Sequence, residues 1–176
     1  MHQQFNVSNE ERKRAKWPHE IFLINLIFNH IFVFCATASV FGTFPLFTAL
    51  VPAISFAIIA YILIKGRLVA ASDEPWFVKA HWQIGAWRNT LFMMLLSVAC
   101  IVSGGGYWLS GMFGWAKIPT LALIGGMGLL PFMVVLLVLI VLSNESLYMA
   151  GDGKLPKNFA VTNHETQVQQ TSFPQK

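Results

Sequence analysis

The sequence predicts an all-α membrane protein: four transmembrane helices form two antiparallel hairpins, joined by a cytoplasmic amphipathic segment, with both termini cytoplasmic. Three observations carry this. Only 11% of the 176 residues are charged, against about 25% in soluble domains. Four nearly uncharged runs approach or pass the roughly 20 residues that a bilayer-crossing helix needs. The basic residues, finally, are concentrated on one side of the predicted topology. Arg12, Lys13, Arg14 and Lys16 precede the first run. Lys65, Arg67, Lys79 and Arg88 lie between the hairpins, and Lys154, Lys157 and Lys176 follow the last run, while the hairpin turns share only Lys117. Basic residues favour the cytoplasmic face, so both termini and the connector are expected there and the two hairpin turns on the other side.

Residues 1–20 form a polar, basic segment ending in Trp17 and Pro18. Pro18 suits the first turn of a helix and Trp17 the headgroup layer. The apolar run that follows exceeds a secretory h-region and lacks a small-residue cleavage site, so it is expected to stay as an anchor. In this first span, residues 21–41, Asn25, Asn29, Phe32, Ala36, Ser39 and Thr43 fall along one helical stripe. Amides are costly in hydrocarbon without partners, so the stripe is expected to face protein. His30 projects about a quarter turn from Asn29. Its expected role is a neutral ring hydrogen-bonded inside the bundle, with a proton relay or ligand contact as the alternative.

Gly42 to Pro45 predicts a tight turn into the second span, residues 46–64, where Pro52 is expected to bend the helix. Thr48, Pro52 and Ser55 share a face, so the hydroxyls could serve carbonyls freed at that bend. The connector, residues 72–89, offers Ser72 or Asp73 as a cap, with Glu74 and Pro75 in the first turn. Trp76, Ala80, Ile84 and Trp87 line one face, the pattern of a helix lying in or entering the interface. Glu74, His81, Gly85 and Arg88 form another stripe, without the nucleophile, second carboxylate or cofactor loop that catalysis would need.

The third span, about residues 88–109, runs on from Arg88 and reaches Gly104, Gly105 and Gly106. No Gly-Lys-Ser/Thr follows, so the triplet reads as close packing or a flexible turn, not a phosphate loop. Tyr107, Trp108 and Trp115 suggest an aromatic belt. The fourth span, residues 119–142, carries Gly125, Gly126 and Gly128 as a smooth contact face, and Pro131 as a bend. The tail, residues 146–176, is polar and expected to be disordered towards its end.

Several function classes recede. The dispersed basic residues make no continuous face for nucleic acid. Cys35 and Cys100 lie in apolar runs and read as small buried hydrophobes, not as a disulfide or zinc pair. With His30 in a span, His81 in the connector and the other histidines in terminal segments, no pair on facing helices is expected for haem. Metalloprotease, triad and paired-carboxylate patterns are absent. No cofactor or metal is expected, and the chain reads as a non-enzyme.

The connector WFVKAHWQIGAWRN and the exit SLYMAGDGKLP, set in this four-span layout, resemble small bacterial four-helix membrane proteins related to the chloroplast inner-envelope import component. The matching positions are His81, Gln83 and Lys154, Leu155 and Pro156, within a likeness covering about residues 18–156; the Gly-rich turn after the third helix departs from the pattern. The resemblance implies no catalytic residues. Size, span count and the Gln-rich tail also resemble inner-membrane proteins connected with ciprofloxacin tolerance and membrane-potential maintenance. The expected function is non-enzymatic: helix–helix contacts serving envelope maintenance, membrane permeability or drug tolerance. A small oligomeric transporter or channel subunit, or an accessory subunit of a larger membrane complex, is the alternative. The expected partners are the bilayer and either further copies of the chain or another membrane protein. The candidate packing or polar-site residues are Asn25, Asn29, His30, His81, Arg88, Gly125 and Gly128.

Overall fold

The computed structural model describes residues 2–39, 47, 49–116, 119–120, 123 and 130–156. The predicted 42–45 turn, Gly125, Gly126, Gly128 and the tail beyond Pro156 lie outside the described residues. The chain is mostly helical, with four helices long and apolar enough to cross a membrane, Asn9–Thr37, Leu50–Ala70, Trp76–Met112 and Leu130–Asp152.

The first of these begins well before its apolar run. After strand β1 (His2–Gln4), Ser8 caps α1 (Asn9–Ile24) through a complete capping box. The Ser8 hydroxyl accepts from the Glu11 amide at 3.2 Å, and the Glu11 carboxylate accepts from the Ser8 amide at 2.7 Å. Two orphan donors are thereby satisfied at the helix start. Pro18 is therefore not at the helix start, as the sequence suggests, but inside α1, where it is buried. The rod continues through a π-helical segment (Asn25–Val33) into α2 (Phe34–Ser39).

In α3 (Leu50–Ala70), Pro52 occupies the first turn. Its missing N–H would have no intrahelical acceptor there, so the expected bend has no cause. Helix α4 (Trp76–Met112) is continuous from connector to third span and runs through Gly104, Gly105 and Gly106, which are helical instead of forming a turn. Its 37 residues correspond to about 55 Å. Pro75 is the N-cap residue; Ser72 instead donates to the Val69 carbonyl at 2.8 Å and accepts from the Glu74 amide at 3.3 Å, bracing the loop. Helix α5 (Leu130–Asp152) contains Pro131 and continues well past the expected end at Leu142. Strand β2 (Lys154–Pro156) then pairs antiparallel with β1, Gln3 opposite Leu155.

Among the described residues, α3 lies against α4, α4 against α1, and α1 against α5, while α4 and α5 meet over much less. The first rod is thus shared by the whole bundle and is not half of a separate hairpin. Its approach to α4 is close at one point: a Cβ on Gly85 would stand 2.9 Å from the Pro18 Cβ. Only a glycine leaves room for the proline ring there. One apolar core, built on Phe22, Leu26, Ile59, Ile62, Phe92 and Leu136, fills the bundle.

A second core closes the end where β1 and β2 pair. Phe5 and Val7 join Ala15 of α1, Trp76, Phe77, Ala80 and Ile84 of α4, Ala150 of α5 and Leu155 of β2. Gly153 makes the turn into β2 at φ +69°, a conformation open to glycine without strain. The connector accordingly packs its Trp76, Ala80 and Ile84 face against the rest of the bundle, while Trp87 remains 63% exposed. The reason is the length of its neighbours: α1 and α5 extend beyond their apolar runs and cover it.

Candidate functional site

One face of the first rod gathers the polar interior. Ala15, Pro18, His19, Phe22, Asn25, Leu26, Asn29 and His30 are all buried, at the spacing of a single helical stripe. Two polar groups lie along it, with the edge-to-face pair Phe22 and Phe92 between them, ring centroids 5.7 Å apart.

The deeper group belongs to the π segment. At 3.6 residues per turn Asn25 and His30 would stand roughly 140° apart. With i→i+5 bonds and roughly 4.4 residues per turn, the separation falls to about 50°. The local winding therefore brings Asn25, Asn29 and His30 to one face, where the sequence sets His30 off the amide stripe. The Asn29 amide nitrogen donates to Asn25 Oδ1 at 3.1 Å and to the Val51 carbonyl at 2.9 Å. Two acceptors fix its orientation, because a flipped amide would set oxygen against oxygen. Asn25 donates to Ser55 Oγ at 2.9 Å, and Ser55 Oγ lies 3.0 Å from His30 Nε2. Of the predicted stripe, Asn25 and Asn29 face protein, namely α3 of the same chain, whereas Phe32 and Ala36 are exposed and Thr43 lies outside the described residues. Ser55 serves these side chains, and not a carbonyl freed at a bend. The His30 ring meets Phe92 edge-on at 5.1 Å and lies 5.8 Å from Phe132. Asn29 Oδ1 is buried without a partner among the described residues.

The second group lies nearer the capped end. His19 Nε2 is 3.0 Å from His81 Nδ1, and His81 Nε2 is 3.2 Å from the Lys154 carbonyl oxygen. A carbonyl only accepts, so His81 Nε2 carries the hydrogen; with both rings neutral, His81 Nδ1 accepts from His19 Nε2–H. The chain of donors runs from α1 through α4 to β2 and ends at His19 Nδ1, buried and unpartnered among the described residues. The expectation of no histidine pair on facing helices fails here. His19 was assigned to a terminal segment, whereas α1 carries it against α4 one residue from the Pro18–Gly85 contact. The facing nitrogens are engaged with each other, and no cluster of three metal-ligating side chains occurs among the described residues.

Arg88 donates to the Leu142 carbonyl of α5, linking two helices that meet each other much less than either meets α1. Both histidine rings lie within its electrostatic range, and Glu145 within range of Arg88. Beside it, Asn89 donates to the Gly85 carbonyl at 2.9 Å, and on α5 Ser143 and Ser146 are fully buried. His81 and Arg88 thus join helices inside the bundle, a role the interfacial reading of the connector misses. Asn25, Asn29 and His30 come together as a group, His81 and Arg88 belong to the other, and Gly125 and Gly128 are outside the described residues.

Sequence reasoning passes over His19 and gives Ser55 carbonyls as partners in place of Asn25 and His30. His19 continues the buried stripe backward from Asn29 through Asn25 and Phe22 at helical spacing, so a signal for it exists. The chain matches no protein-family model, no curated protein and no solved structure.

Proposed function

We propose that the chain is a non-enzymatic, multi-pass protein of a bacterial inner membrane that acts through helix–helix contacts with further copies of itself or with a membrane partner. The observation that carries this is the far half of α4. Among the described residues, a Cβ added at Gly104, Gly105 or Gly111 meets nothing within 4 Å, and Ile101, Trp108 and Met112 beside them are exposed. Inside lipid, apolar burial gives helices little drive to associate, and small residues that admit a close neighbour supply it. Gly104 and Gly111, two turns apart, share one side of α4. The contact face is thus moved from the amides of the first rod, which Ser55 and the Val51 carbonyl already satisfy, to the glycines of α4.

The orientation, with both termini and the 71–75 loop cytoplasmic, is part of the proposal. It is supported by the basic residues and by the pairing of β1 with β2 near Trp76. The cellular role, in envelope maintenance, permeability or drug tolerance, and kinship with the import-component family belong to it as well. Crosslinking in native membranes tests the contact face. Leucine at Gly104 and Gly111 together is expected to abolish the crosslinked species while leaving the fold intact, because both positions open onto empty space. Unchanged crosslinking would refute it.

A second reading, a small carrier of a proton or polar solute, is favoured by the π segment itself. Such segments are rare and concentrate at functional sites, and this one bears three buried polar side chains. Vesicles reconstituted with the protein should then show a flux that His30→Ala abolishes; no flux of protons, ions or amphiphilic drugs would remove this reading.

A further inference from the structure

The first rod and α3 meet at the π segment, through Asn25 with Ser55 and Asn29 with Val51. Along α1 they touch less, although α1 is the longer segment. The two helices therefore leave a wedge towards the capped end, a cleft of about 700 Å³. Lys13 and Trp17 of α1 form one wall, Lys65 and Leu68 of α3 the other, and Val78 and Trp82 of α4 the buried floor. Asp73 lies on the rim. The cleft combines an apolar base with charges of both signs at its mouth.

Those charges are unequally engaged. Arg14 and Glu74, also on the rim, are 2.7 Å apart and neutralise each other. Lys13 has only a highly exposed partner, Glu10, at 3.3 Å, a pair of little strength. Lys65 and Asp73 make no hydrogen bond or ion pair among the described residues. The mouth thus offers a free ammonium, a weakly held one and a free carboxylate. Beyond the mouth, an exposed apolar strip runs down α3 through Leu68, Ile64 and Tyr61, at 60%, 58% and 46% exposure. Trp17, half-exposed on the opposite wall, is the residue type that favours the level of lipid headgroups.

We propose that this cleft binds an amine-bearing glycerophospholipid taken from the bilayer. The phosphate is held between Lys65 and Lys13, the ammonium faces Asp73, and the glycerol and upper acyl chains cover Leu68, Val78 and Trp82. Two arguments favour a lipid over a soluble phosphate: an apolar floor that a bare anion would leave uncovered, and an apolar strip leading away along α3. Asp73 selects a headgroup with an ammonium over one with hydroxyls, since its carboxylate meets the ammonium in a charge-assisted hydrogen bond and a neutral hydroxyl only in an ordinary one.

The test is native mass spectrometry of the full chain in detergent, titrated with phosphatidylethanolamine or phosphatidylglycerol. The native protein should retain the ethanolamine lipid preferentially. Lys65→Gln should weaken retention about tenfold, the loss of one charge-assisted hydrogen bond. Asp73→Asn should abolish the preference between the lipids, and Arg67→Gln, an exposed α3 cation outside the cleft, should change nothing. Retention unaffected by Lys65→Gln, or equal affinity of the native protein for both lipids, would overturn the proposal. So would displacement of the lipid by an equal concentration of water-soluble glycerophosphoethanolamine, which would make the site one for a soluble phosphate. The three substituted positions are at the surface, and unchanged helical circular dichroism will confirm that each variant is folded.

Discussion

Replacing Gly85 with alanine tests the closest approach in the bundle. The new Cβ would lie 2.9 Å from the Pro18 Cβ and 3.6 Å from its Cγ. The obstacle is a rigid ring fixed to the backbone, so relief requires the first rod and α4 to separate by roughly 1 Å at that level. Forcing a well-packed contact apart costs about 1–3 kcal/mol. One residue from Pro18 and one turn from Gly85, the 3.0 Å His19–His81 contact would open past hydrogen-bonding distance, costing about 1–3 kcal/mol for buried groups left unpaired. Alanine returns about 1 kcal/mol of helix propensity, leaving a net destabilisation of about 1–5 kcal/mol. The measurement is reversible unfolding in mixed micelles titrated with sodium dodecyl sulfate, followed by circular dichroism. Gly66→Ala is the comparison, since its added Cβ would meet the Ala86 Cβ at an ordinary 3.6 Å; it should be neutral or more stable by up to about 1 kcal/mol. If Gly85→Ala proves as stable as Gly66→Ala, the close crossing of the first rod and α4 is wrong.

Ser55→Ala removes the partner shared by Asn25 and His30 and should destabilise the bundle by about 1–3 kcal/mol in the same unfolding assay. Ser8→Ala breaks the capping box; a loss of about 1 kcal/mol is expected, with faster amide exchange confined to the first turns of α1. The Asp152 carboxylate, hydrogen-bonded to Lys154 at 2.8 Å, raises the pKa of that lysine above its ordinary value. A folded-state pKa above the unfolded one gives stability that is present below the ordinary lysine range and lost as pH rises through the folded value. Amide exchange in β2, corrected for its intrinsic pH dependence, should therefore rise in strongly alkaline solution, and Lys154→Met should remove that added sensitivity.

The four apolar helices were legible because uncharged length alone marks a bilayer crossing. Their ends were less so. Ser8-Asn9-Glu10-Glu11 is a capping-box sequence, yet the charges that follow it conceal a helix that is buried only on the side bearing Ala15, Pro18 and His19. The connector's tryptophans suit an interface as well as a core, and only the reach of α1 and α5 decides between them. The π segment depends on what Asn25 and Asn29 find across the bundle, at Ser55 and Val51. Periodicity along a single helix holds no record of those partners. The β1–β2 pairing joins two three-residue strands from opposite parts of the chain, too short for alternation to reveal them.

The most direct test of the account is the sidedness of single cysteines, introduced at Ser8, Ser72, Asp152 and Gly114 after Cys35 and Cys100 are replaced by alanine. An impermeant maleimide is applied to sealed vesicles of each orientation. The account predicts that positions 8, 72 and 152 react together from the cytoplasmic face and position 114 from the opposite face. Labelling of any one of the first three from the same side as position 114 would contradict a bundle of four crossings closed at one end by the β1–β2 pair.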